Sequence, residues 1–141
     1  MMTTALVTGL IGIVLNLVSR EAIFSMLALS NQYAAATSEA QKAVLTAAGQ
    51  TLLTIYNGTA FNISYVLGGI VFLLFSLAML RNNVFSKLTA YIGIGTGIIM
   101  LVPPTIGTIG IIIALISLVP TIVWLILVAR TLFKLYRTIP A

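Results

Sequence analysis

The chain contains no cysteine, no histidine and no aspartate, and its only acids are Glu21 and Glu39. Thiolate and imidazole metal sites and disulfides are thereby excluded. A serine or threonine nucleophile would lack its usual imidazole base. A paired-carboxylate centre would need two well-separated glutamates to meet. The inventory therefore argues against an enzyme, and it names no catalytic residue, no cofactor and no metal.

Charge of either sign is scarce: 6% of residues are charged, whereas 60% are hydrophobic. So little polar surface cannot cover a soluble globule, so a bilayer must supply the apolar surroundings. The net charge of +5 does not point to nucleic acid, because the basic residues are few and scattered and cannot track a phosphate backbone. They sit at the ends of apolar runs, where they anchor and orient helices. Met1-Met2-Thr3-Thr4 lacks the basic region of a signal peptide, and no small-residue cleavage site follows it at the expected place.

The pattern predicts an all-α integral membrane protein: an antiparallel bundle of four transmembrane helices with one outer amphipathic helix, forming a single domain over residues 1–141. The first span covers about residues 2–19 and extends toward 30, with no glycine or proline interrupting it from Ile13 to Ser30. After a polar connector, Ser38 and Gln41 match a capping box, and Glu39 suits a first helical turn. Val44, Ala48, Leu52 and Ile55 then recur at helical spacing, predicting the outer amphipathic helix over about 39–56.

Further spans are expected over about 60–80, 86–102 and 107–129. Pro103-Pro104 stops the third and Pro120 lies inside the fourth. Between the second and third lies a doubly basic turn, Arg81-Asn82-Asn83-Val84-Phe85-Ser86-Lys87. Arg81, Lys87, Arg130, Lys134 and Arg137 fall on one side of this topology. Arg20 and Lys42 on the other side are balanced by Glu21 and Glu39. The positive-inside rule then places the turn and the C-terminus in the cytoplasm, and an even number of spans places the N-terminus there too.

Several stretches resemble one recurring pattern: Leu29-Ser30-Asn31-Gln32-Tyr33-Ala34-Ala35-Ala36-Thr37, Tyr56-Asn57-Gly58-Thr59-Ala60-Phe61, and the basic turn with its flanks. Together they resemble a bacterial multi-pass membrane family that is itself a domain of unknown function, over about residues 22–136. The resemblance implies a bacterial plasma membrane location and further spans upstream in longer members. It implies no activity, substrate or cofactor.

Three groups stand out as candidate sites. Asn16, Arg20 and Glu21 are the strongly polar residues in or beside the first span. An ionisable group inside a membrane is a functional candidate, while near a span end it simply snorkels to the interface. Ala60, Ser64 and Gly68 in the second span, with Gly93 and Gly97 in the third, are small residues at helix-packing spacing. They serve packing within one chain or a seam between copies. Pro120 is a candidate hinge or a static kink. Trp124, Tyr91, Tyr136, Tyr56 and Phe61 read as anchors at the membrane interfaces. Expected partners are the lipid bilayer and a second copy or another membrane protein. The leading expectation is a non-enzymatic accessory or interaction component. The alternative is a small homo-oligomeric transporter of cations or small molecules, with Glu21 as its coupling residue.

Overall fold

A computed structural model of the protein describes residues 1–138. It consists of six helices: α1 (Met2–Arg20), α2 (Ala22–Ala35), α3 (Glu39–Tyr56), α4 (Thr59–Leu80), α5 (Lys87–Ile99) and α6 (Thr108–Thr138), with no strand among the described residues. Three helical stretches are long and apolar enough to cross a membrane: Met2–Ala35 and Glu39–Leu80, each counted through one break, and Thr108–Arg137.

The first stretch is not the uninterrupted helix that its lack of glycine and proline predicts. It breaks at Glu21, whose backbone stays right-handed (φ −55°, ψ −33°) but whose N–H bonds to Val18 O at 3.4 Å, one residue short of α-helical register. The break changes register without turning the chain back. The hairpin turn comes later, at Ala36–Ser38, where Ser38 Oγ caps α3 by accepting from the Gln41 N–H at 3.2 Å. Helix α3 packs on α2. Its half-buried stripe is Leu45, Ala48, Leu52 and Tyr56, rotated from the expected one: Val44 (69% exposed) and Ile55 (53%) point outward.

Helices pack in the order α1–α4–α5–α6, so α4 and α5 occupy the middle of a row. Helix α1 is buried along Ala5, Gly12 and Ser19, all small, which lets α4 approach closely. The main apolar cluster is built from Met79, Ala90 and Trp124, one residue each from α4, α5 and α6, with Phe72, Phe75 and Phe85 around it.

Helix α5 has 13 residues, about 20 Å at the α-helical rise, against a hydrocarbon core of about 30 Å. Beyond Ile99 the chain tightens into i→i−3 turns, Leu101 N to Ile98 O and Val102 N to Ile99 O. Pro103 and Pro104 then have no N–H groups to satisfy. Gly107 (φ +88°) makes the left-handed turn that starts α6. Thr105 Oγ1 donates to Asn62 Oδ1, tying this connection to the first turn of α4.

Candidate functional site

The three polar residues in and just after the last turns of α1 do not form one cluster. Asn16 Nδ2 reaches Ser64 Oγ at 3.4 Å across the α1–α4 seam, while Ser64 Oγ itself donates to Phe61 O at 2.7 Å. One turn on, the Arg20 guanidinium lies over the Tyr56 ring (4.2 Å to its centroid) and the Phe61 ring (4.6 Å). Glu21 is exposed at the break between α1 and α2. Asn16 and Arg20, four residues apart, share one face of α1 and meet different neighbours one turn apart, while Glu21, about 100° further round than Arg20, turns to solvent.

Tyr56 ends α3 and Phe61 lies in the first turn of α4, with Asn57-Gly58 between the two helices. The short break folds both rings against the end of α1. A planar guanidinium is attracted to the negative faces of such rings, an interaction worth about 0.5–2 kcal/mol according to its desolvation. Asn62 closes the corner, its Nδ2 donating to Gly58 O at 3.1 Å. Tyr56 and Phe61 are therefore partners of Arg20 at an inter-helix corner, which a reading of them as interface anchors does not reveal.

The small residues of α4 serve different neighbours. Ser64 faces α1, where a Cβ on Gly12 would lie 3.6 Å from its carbonyl oxygen. Gly68 faces the end of α5: a Cβ there would come 3.3 Å from Met100 Cε. Ala60 is half-buried in the first turn. The seam with α5 belongs instead to Gly69, Leu73 and Ser76, which meet Gly97 and Gly93. Gly69 followed Gly68 in the sequence pattern without any spacing to mark it as the more tightly packed.

Gly93 holds the closest approach. A Cβ there would overlap Ser76 Oγ and Trp124 Nε1, so the bare Cα brings a hydroxyl of α4 and an indole of α6 together. Both atoms are buried without a hydrogen-bond partner. Trp124 is not an interface anchor: it is 8% exposed and packs on Phe72, ring centroids 4.8 Å apart. By contrast Tyr91 and Tyr136 are exposed.

Helix α6 continues through Pro120 as one element. Proline removes the N–H that would bond to Ile116 O. In the same turn Thr121 Oγ1 donates to Ser117 O at 2.7 Å. Ser117 is buried and its Oγ lies 3.3 Å from Tyr65 Oη, pinning this turn to α4.

No family model, no curated protein and no solved structure matches this chain.

Proposed function

We propose that the protein is a four-span component of a bacterial plasma membrane that works by association with other membrane proteins or with copies of itself, not by catalysis. Three spans correspond to α1, α4 and α6. The fourth is α5 together with the turns and prolines after it. The tie from Thr105 to Asn62 supports this, since it carries the α5–α6 connection back to the level where α4 begins. Non-helical backbone at membrane depth is tolerated where protein covers it and its polar groups are satisfied, and two successive prolines lower that demand. The charge asymmetry sets the basic turn and tail in the cytoplasm and the α2–α3 hairpin outside.

The observation that carries the association reading is the surface of that hairpin. Helix α1, with 19 residues, is about 28 Å long and by itself matches the hydrocarbon core. Helices α2 and α3 extend past it, yet Phe24 (78% exposed), Leu27 (62%) and Val44 (69%) face outward from them. Apolar side chains beyond the core need a partner or the interfacial layer to cover them.

A photoreactive amino acid at Phe24 or Val44 in intact membranes should give a discrete protein adduct, whereas one at Ile122 on α6 should give only lipid adducts. Equal adduct patterns at all three positions would remove the basis for an interaction surface. The transporter reading makes Glu21 a proton-coupling group, which requires a water-filled cavity near mid-membrane. Glu21 instead lies exposed at a helix break. Saturable substrate flux into reconstituted vesicles, abolished by Glu21→Gln, would establish transport and displace the association reading.

A further inference from the structure

We infer that the groove between the C-terminal half of α4 and α6 holds one acyl chain of an anionic phospholipid from the leaflet on the basic side. The inference rests on the membrane reading above. The groove has a volume of about 490 Å³ and is walled by Phe75, Ala78 and Met79 of α4, Trp124 and Val128 of α6, and Met2 at the start of α1. Its size falls within the range of small-ligand sites, roughly 300–1,000 Å³. The walls are apolar and Asn82 is the polar residue among them, so the groove has a greasy body and a polar mouth at the α4–α5 turn.

The mouth is where the charge lies. Arg81 adjoins Asn82 and is exposed. Lys134 lines a second depression beside Val84, two residues further round the same turn, and is also exposed. Among the described residues neither cation has a carboxylate partner: the ion pair there is Lys42–Glu39, at the far end of the molecule, and the other acidic side chain, Glu21, is there too. An apolar slot with Arg81 next to its polar mouth and Lys134 on the neighbouring depression complements a lipid whose headgroup is negative. A zwitterionic lipid would fill the slot but gain little at the rim. Each basic side chain near the headgroups favours an anionic lipid by roughly fivefold, so two should give a preference on the order of tenfold or more.

Trp124 is the single tryptophan in the chain and forms part of the groove wall, so its fluorescence reports on the occupant directly. The full-length protein is reconstituted in phosphatidylcholine nanodiscs. These contain the same low mole fraction of either brominated phosphatidylglycerol or brominated phosphatidylcholine, the bromines being short-range quenchers on the acyl chain. The glycerol lipid should quench Trp124 the more strongly. The double variant Arg81→Gln, Lys134→Gln should reduce that quenching to the choline level while leaving choline quenching unchanged. Ala78→Phe, which fills the slot, should weaken quenching by both. Equal quenching of the unaltered protein by the two lipids overturns the anionic preference, and full quenching in a folded Ala78→Phe variant overturns occupancy of the groove. If the Phe variant does not fold, the charge variant still decides, because both altered residues are exposed. Quenching by neither lipid would overturn occupancy of the groove, whereas failure of the protein to enter nanodiscs at all would sink the membrane reading, a distinguishable failure.

Discussion

Gly69 and Gly97 lie back to back across the α4–α5 seam, each against the other's carbonyl oxygen. A Cβ on Gly69 would stand 2.9 Å from Gly97 O, and one on Gly97 2.8 Å from Gly69 O and 2.7 Å from Leu73 Cγ. Backbone against backbone is the closest approach two helices can make. Between apolar helices in lipid, dispersion contacts of this kind replace the hydrophobic drive that water would provide.

Gly97→Ala should therefore force α4 and α5 apart and destabilise the protein by about 1–3 kcal/mol, the usual range for overpacking. Gly95, two residues earlier in α5, has no neighbouring side chain or helix within 4 Å of the position a Cβ would take, so Gly95→Ala should leave stability unchanged or raise it by up to about 1 kcal/mol. Reversible unfolding in mixed micelles of increasing SDS fraction measures both. Equal effects of the two substitutions would show that the seam is not packed as described.

Ser76→Ala should leave stability unchanged or raise it by about 1 kcal/mol, against the usual trend for a buried position. The Ser76 hydroxyl is 0% exposed and without a partner, so it keeps its desolvation penalty with no bond in return. Its neighbour Trp124 Nε1 is in the same condition. The same unfolding assay applies, and a loss of more than about 1 kcal/mol would mean that the hydroxyl is bonded in the membrane.

Arg20→Lys keeps the charge and loses the planar stack on Tyr56 and Phe61. It should cost most of the cation–π contribution, about 0.5–1 kcal/mol at this half-exposed corner. In the Tyr56→Leu background the same substitution should cost clearly less. Additive losses in that double-mutant cycle would refute the stacking.

Topology is open to direct measurement, because the chain has no native cysteine to interfere. Single cysteines at Lys42 and Thr105 should react with a membrane-impermeant maleimide added to intact cells. One at Asn83 should react only after the cells are opened. Labelling of Asn83 from outside would reverse the orientation, and protection of both outer positions would remove the four-span arrangement.

The elements were largely legible because their signals are local. The Ser38–Gln41 cap and the proline stop after α5 each depend on a few consecutive residues, and the structure has a cap and a helix end at those places. The expected stripe of α3 is right at Ala48 and Leu52 and one residue off at its ends, where Leu45 and Tyr56 replace Val44 and Ile55. Val44 and Leu45 are both apolar, and only the position of α2 selects between them. The candidate sites were less legible. Asn16, Arg20 and Glu21 form one group in the sequence as the strongly polar residues in or beside the first span, yet they meet three different environments: Ser64, two aromatic rings and solvent. Trp124 looked like an anchor because tryptophan favours membrane interfaces. Its burial follows from the bare Cα of Gly93 on another helix.

What the sequence determined by itself is the helical class and the need for an apolar surrounding. These follow from composition and from backbone hydrogen bonds that, in hydrocarbon, must close within each helix. Tertiary structure alone decided which small residues meet. Helices α1, α4, α5 and α6 carry apolar residues around most of their circumference, so hydrophobic pattern cannot say which face turns inward. That choice falls to shape: where Gly69 and Gly97 remove the side chains between two backbones, α4 and α5 can touch.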